Sequence, residues 1–296
     1  MSMSEPEQKA CPRCGERFEC RHSAACWCAD YPVIGHVEPE SDCFCPKCLE
    51  RECERRREGF TLVELLAVIA VIAILAAMLM PVLGRGQAAA KAAKCMSNLR
   101  QFCLSAQMYW EDNNGQTFAY GDILTNGGAL YWFGWIGPGP EETRAFDPAR
   151  AALYPYMGAG VDFCPSFDYG SSQFKLKAAV PTCDYGYNAA LGSKGQNTVN
   201  MKTIRRPSSL ALLADSAQVN TFETPASIQH PMFEEWYYID QEAGEPNGQF
   251  RHDQDAIAVF CDGHTERETM SPGSMDQRLP NQRIAWLPAA ILNPQN

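Results

Sequence analysis

With 296 residues and a net charge of −10, the chain is long enough for more than one domain and too acidic to read as a nucleic-acid or anionic-lipid binder. Its 14 cysteines divide unevenly, nine of them ahead of a long apolar run that begins at Leu65. Because roughly 59 residues precede that run, a short secretory signal is excluded.

The first 58 residues hold two C-P-x-C knuckles, Cys11-Pro-Arg-Cys14 and Cys45-Pro-Lys-Cys48, with Cys20, Cys26, Cys28 and Cys43 between them. A knuckle turns two thiolates toward one ion, and two knuckles complete a tetrahedral zinc site. On the reducing side of a membrane such thiols take metal rather than form disulfides. Eight of them are enough for one zinc with four spare ligands, or for two zincs. The run from Cys11 to Leu49, with Phe18-x-Cys20, Cys26-Trp27-Cys28 and a final Cys43-x-Cys45-Pro-x-Cys48-Leu49, resembles the small cysteine-rich CWC family. The reading is a metal-stapled module too small for its own core, with no ligand position left open for catalysis.

Next comes Gly59-Phe60-Thr61-Leu62-Val63-Glu64, and from Leu65 to Gly84 no residue is charged. Twenty such residues in a helix span a hydrocarbon core of roughly 30 Å. Arg51, Arg55, Arg56 and Arg57 crowd the N-terminal flank, which predicts a cytoplasmic leader, a single pass, and a head outside the inner membrane. A carboxylate at Glu64 near a membrane helix end asks for a partner. The hexapeptide resembles the cleavage and methylation motif of type IV pilins and type II secretion pseudopilins. That resemblance implies cleavage after Gly59 by a membrane prepilin peptidase, N-methylation of Phe60, and a pairing of Glu64 with the new terminal amine of a neighbouring pilin subunit. It also places Pro81 where many such pilins carry a helix-bending proline.

Good helix formers continue beyond Pro81, and Leu99, Phe102, Cys103, Ala106, Tyr109 and Trp110 recur at helical spacing before Asn113-Asn114-Gly115. One helix is expected from Phe60 to about Asp112, within a segment 59–113. Residues 114–296 then read as an α+β head, an antiparallel sheet laid on the second half of that helix. Leu210–Asp215 and Ala256–Cys261 are its clearest strands, and Asp262-Gly263 turns the second into a hairpin. Four prolines in the last 25 or so residues suggest an extended, surface-wrapping tail.

His252 lies nine residues before Asp262-Gly263, and Lys94–Gln101, Cys164-Pro-Ser166, Tyr185–Asn188 and Leu212–Asp215 are further recognisable runs. Together they resemble a pilin-like family marked by a His-x9-Asp-Gly head. His252, Asp253, Asp255, Asp262 and His264 crowd one hairpin, but six residues of strand separate Asp255 from Asp262 by about 20 Å, so the pattern reads as structural rather than catalytic. No nucleophile elbow or phosphate loop appears. Calcium would need an oxygen-rich loop that the head does not spell out. Cys164 and Cys183, both in loops of an oxidising compartment, are the expected disulfide. The resulting expectation is a prepilin-like structural subunit and not an enzyme. The rival is a tethered ligand- or glycan-binding module using Tyr131, Trp132, Phe133 and Trp135, favoured if that row is exposed. A metal-dependent enzyme around His252 comes third, and would need imidazoles and carboxylates within ligand distance.

Overall fold

A computed structural model describes residues 7–20, 30–31, 44–57, 61–121, 123–157, 163–192, 198–241 and 244–293. The chain divides into two compact units, Met1–Pro81 and Val82–Asn296.

In the first unit, β1 (Glu7–Ala10) and β2 (Arg17–Cys20) pair antiparallel, with Ala10 opposite Arg17. The knuckle between them closes by an N–H of Gly15 donating to Cys11 O at 2.8 Å. Gly15 sits at φ +75°, a left-handed conformation in which a side chain would be strained. α1 (Pro46–Arg57) starts on a proline, whose missing N–H costs nothing in a first turn. Cys11, Phe18, Cys20, Cys45 and Cys48 bury one another, a core too small to hold the module unaided. α2 (Leu62–Asp112) begins in this unit and runs on through Pro81. All its large apolar side chains from Leu62 to Leu83 are exposed, and it is long and apolar enough to cross a membrane.

The second unit is built on the other half of α2, where Ala92, Cys95, Leu99, Phe102, Cys103, Ala106 and Trp110 form the expected buried stripe. Asn114 and Gly115 stop the helix at φ +55° and +87°, and the Gly115 N–H caps Trp110 O at 2.6 Å. β3 (Ile123–Thr125), β4 (Gly128–Tyr131), β5 (Gly134–Ile136) and β6 (Phe146–Asp147) make an antiparallel meander. β7 (Phe174–Lys175), β8 (Tyr185–Asn188), β9 (Ala211–Asp215), β10 (Gln218–Asn220), β11 (Met232–Glu234) and β12 (Tyr238–Ile239) follow. β13 (Gly248–Gln249), β14 (Asp255–Phe260), β15 (Thr265–Thr269) and β16 (Ile284–Ala285) complete the described strands. The main sheet runs in the order β12-β8-β9-β14-β15. Its pairs are antiparallel except β8–β12, and β7–β11 in a smaller sheet is the other parallel pair. Both parallel ladders are two residues long, which local patterning does not signal.

β14 explains how the layers stack. Its Ile257 and Val259, with Cys261 just beyond, pack into the cluster that holds the α2 stripe. Ala256, Ala258 and Phe260 face the other way, toward Phe250, Ala285, Leu287 and Leu292. A strand covered on both faces reads as a continuous apolar run, as this one does. The tail is therefore not a surface wrap. Its prolines break helix and ladder, but Ile284 and Ala285 are fully buried against the sheet.

The aromatic row is also settled by burial. Trp132 is 1 % exposed, sets its ring edge-on to Phe102 of α2 at 5.3 Å, and donates its indole N–H to Tyr237 O at 2.9 Å. Phe133 is buried beside it, whereas Tyr131 and Trp135 are half-buried. This packing is what the structural reading requires.

Candidate functional site

Three places gather the residues that the sequence singles out. At the start of α2, Gly59 and Phe60 lie outside the described residues, but Thr61 and Glu64 form a capping box. The Glu64 carboxylate accepts from the Thr61 N–H and hydroxyl, both at 2.8 Å, while the Glu64 N–H donates to Thr61 Oγ1 at 3.2 Å. The carboxylate is thus held over the first turn of the helix.

In the leader, the ligand atoms of Cys11, Cys14, Cys45 and Cys48 all lie within 4.8 Å of one another. Cys14 Sγ is 3.6 Å from Cys45 Sγ, close to the edge of about 3.8 Å that a tetrahedron with 2.3 Å Zn–S bonds requires. The second knuckle closes where Cys48 and Leu49 N–H groups donate to Cys45 O at 3.0 and 2.9 Å. Burial raises the Cys11 thiol, but hydrogen bonds with Cys45, Arg13 and Cys14 outweigh it and bring it down to about 6. Cys48, buried among the other sulfurs, is pushed up to about 12. One thiolate therefore discourages the next, a conflict that a dication relieves by pairing with all of them. Glu52 ties the knuckles together, accepting from Arg13 at 2.7 Å and Arg55 at 2.8 Å. The donor set fits a metal ion. Cys20 is buried in the same small core but does not join the four, and Cys26, Cys28 and Cys43 lie outside the described residues.

In the head, the two ends of the His-x9-Asp-Gly signature do separate things. Asp262 and Gly263 form the hairpin turn, Gly263 at φ +98° with its N–H on Phe260 O at 2.9 Å. Asp262 accepts from the backbone and ring of its neighbour His264, at 3.1 and 2.6 Å. His252 instead starts a tight turn whose central residues, Asp253 and Gln254, have φ of +54° and +77°, the type I′ pattern. That turn drives the imidazole inward, where its side chain is 1 % exposed. Its Nε2 lies 3.3 Å from Asp215 Oδ2 and 3.3 Å from Cys164 Sγ.

Asp215 is the hub. Arg251 donates to its Oδ1 at 2.6 Å and the Ile257 N–H to its Oδ2 at 2.7 Å. Burial favours its neutral form, but Arg251 and His252 hold the carboxyl below its ordinary value. Asp184, accepting from the Cys164 N–H at 2.6 Å, is pushed up to about 7, mainly by burial. Glu235, which accepts from Thr182 N–H and hydroxyl, is also raised to about 7 by burial.

The expected Cys164–Cys183 bond is not formed. Cys164 is joined to Cys95 of α2, 69 residues away, and the Cys183 thiol donates to Tyr185 O at 3.2 Å. Helix α2 carries Cys95 on its buried stripe directly onto the Cys164 loop, a proximity that only the tertiary fold creates. Sequence reasoning missed Cys95, Asp215, Arg251 and Asp184 as one group. The signal was present: Cys95, Cys164, Asp215 and His252 each sit in a separate recognisable run. Among the described residues this cluster and the leader's four cysteines are the groups that bring metal ligands together, and neither is the oxygen set that calcium takes.

Two buried acids raised toward neutrality give a pH dependence. Between their ordinary values of 3.8 and 4.5 and about 7, the folded head keeps protons that the unfolded chain has released. Stability therefore falls as pH rises through that window. Asp215, with a lowered value, acts only below it. The head is expected to melt lower at about pH 8 than at about pH 5.5, with Glu235→Gln shrinking the difference. Equal melting of the parent at both values would contradict this.

Residues 55–80 match the family model of the prokaryotic N-terminal methylation motif. That stretch carries a prepilin-type methylation motif. The match overlays the Arg-rich flank, the Thr61–Glu64 capping box and most of the exposed apolar surface of α2. A prepilin-type anchor supports a pilin or pseudopilin subunit, a structural part rather than an enzyme. No curated protein and no solved structure matches the chain.

Proposed function

We propose that this chain is a prepilin-like structural subunit, cut after Gly59, methylated at Phe60, and assembled through its N-terminal helix into a pilus or type II secretion pseudopilus. The observation that carries the reading is the methylation-motif match on a helix with two faces of life. The large apolar side chains of its Leu62–Leu83 part are all exposed, and its Ala92–Trp110 part is the spine of a packed head. Division into a CWC-like leader (1–58), an anchor and spine (59–113) and a His-x9-Asp-Gly head (114–296) follows from this reading. The positive flank supports a cytoplasmic leader and a head in the periplasm or, after assembly, on the cell surface. Prepilin peptidase, its methyltransferase activity and other pilin subunits are the partners implied. A glycan-binding head is not favoured, because Trp132 packs on Phe102 of α2, Phe133 on Tyr237, and the Trp135 indole N–H donates to Thr125 O.

Processing is the direct test. Co-expressed with a prepilin peptidase, the parent should lose its leader and Gly59→Val should keep it, since a branched side chain blocks the backbone from the protease. An uncut parent would contradict the reading.

The leader's ion is taken to be zinc, held by Cys11, Cys14, Cys45 and Cys48. Chelation of the full chain should release one zinc from this set and open the leader to proteolysis, because in modules this small metal binding and folding are the same free energy. A leader that stays protease-resistant without metal would count against it.

A further inference from the structure

We propose that Cys95, Cys164, His252 and Asp215 form a second, redox-gated metal site in the head, closed while the cysteines are bonded and able to hold one zinc ion once they are reduced. It rests on the head's own geometry and does not depend on the pilin reading.

Four distant segments deliver these ligands: α2, the loop before Phe167, the end of β9 and the turn before β14. One ligand atom from each lies within 4.8 Å of all the others. The two spacings of 3.3 Å around His252 Nε2 approach the edges of a zinc tetrahedron, about 3.3–3.5 Å for bonds of 2.0 to 2.3 Å. A disulfide alone needs neither an imidazole nor a carboxylate, yet both converge on it, fully buried. Two thiolates and one carboxylate around a dication leave one negative charge, and the Arg251 guanidinium on Asp215 Oδ1 offsets it. Arg251 and the Ile257 N–H also fix the orientation of the carboxylate, as outer-shell partners of metal ligands do. A cleft of about 290 Å³ reaches His252, with Ser166 and Asp253 but also Lys91, Arg251 and Arg267 on its lining.

The chemistry balances simply. A dithiol reductant gives up two electrons and two protons and becomes a disulfide itself, while the Cys95–Cys164 bond opens to two thiols. Zinc binding returns those two protons to solvent, and His252 coordinates through Nε2 with its ring proton on Nδ1. The bonded and metal-bound forms exclude each other, because the same sulfur electrons serve both.

Cobalt(II) titration of the detergent-solubilised full chain tests this, with the leader site disabled by Cys45→Ser and Cys48→Ser. After reduction with a phosphine, one equivalent of cobalt should give sulfur-to-metal charge transfer and intense tetrahedral bands, displaced by zinc. The oxidised chain should show neither. His252→Gln should weaken binding by more than the roughly 10–100-fold that losing an outer-shell partner costs. Its reoxidation to Cys95–Cys164, mapped by mass spectrometry, checks that the fold survives. Should that variant not refold, the difference in cobalt binding between the reduced parent and reduced Cys95→Ser decides, because the leader's remaining cysteines are common to both. Equal cobalt binding in both redox states, no binding in the reduced chain beyond that of Cys95→Ser, or unchanged affinity in a folded His252→Gln would overturn the proposal.

Discussion

Asp215→Ala is expected to destabilise the head by about 3–5 kcal/mol, the cost of breaking a buried ion pair from one side. For a unit of this size that lowers the melting temperature by roughly 6–20 °C. The reason is local and specific. Arg251, His252 and the Ile257 N–H all converge on this carboxylate inside the core, and alanine removes the guanidinium's shortest ion pair, leaving it Asp184 Oδ2 at 3.9 Å as its remaining counter-charge. Asp262→Ala makes the control, although Asp262 rather than Asp215 carries the recognisable motif. It bonds only to His264 at a partly exposed turn, where an ion pair contributes about 0–1 kcal/mol. Thermal melts of the two variants separate the cases. If Asp262→Ala proved the more damaging, the description of His252 and its partner would be wrong.

Glu64→Val is expected to abolish assembly while leaving the protein in the membrane. The apolar run from Leu65 onward spans by itself, and valine is easier to insert than a carboxylate. In the chain as translated, Glu64 caps the first turn through Thr61. Losing such a cap costs about 0.5–2 kcal/mol at a helix end, too little to undo insertion. Cleavage after Gly59 would create a terminal ammonium at Phe60, and in low dielectric that charge and the Glu64 carboxylate would each be expensive alone but tolerable as a pair. A pair made between subunits would govern polymerisation while leaving membrane insertion intact. Glu64→Asp should be intermediate, its shorter reach straining the contact. Cross-linking of membranes reads the outcome, and a Glu64→Val protein that assembles like the parent reduces the helix to a plain anchor.

Legibility in the sequence followed the range of the interactions involved. The α2 anchor, its stripe from Leu99 to Trp110, the stop at Asn113–Gly115, β9, β14 and the Asp262-Gly263 turn all arise from neighbours within a few residues. Charge-free length, 3.6-residue spacing and turn chemistry expose them directly. The knuckle pairs Cys11–Cys14 and Cys45–Cys48 were readable for the same reason. What local pattern could not supply was which distant segments meet. Cys164 lies 69 residues from Cys95 and only 19 from Cys183, yet it bonds to Cys95 because a rigid helix presents that residue to it. His252 pairs with Asp215 rather than Asp262 because a type I′ turn points it inward. The proline-rich tail reads as surface, but β14 needs cover on its second face, and Ala285, Leu287 and Leu292 provide it.

The central claim is that this chain matures as a prepilin does, and intact mass spectrometry of the membrane-extracted protein tests it most directly. The account predicts a chain that begins at Phe60, carries one methyl group on its terminal nitrogen, and has lost the cysteine-rich leader. A membrane protein that retains residues 1–58 with an unmodified Gly59–Phe60 bond, in cells with an active prepilin peptidase, would contradict it.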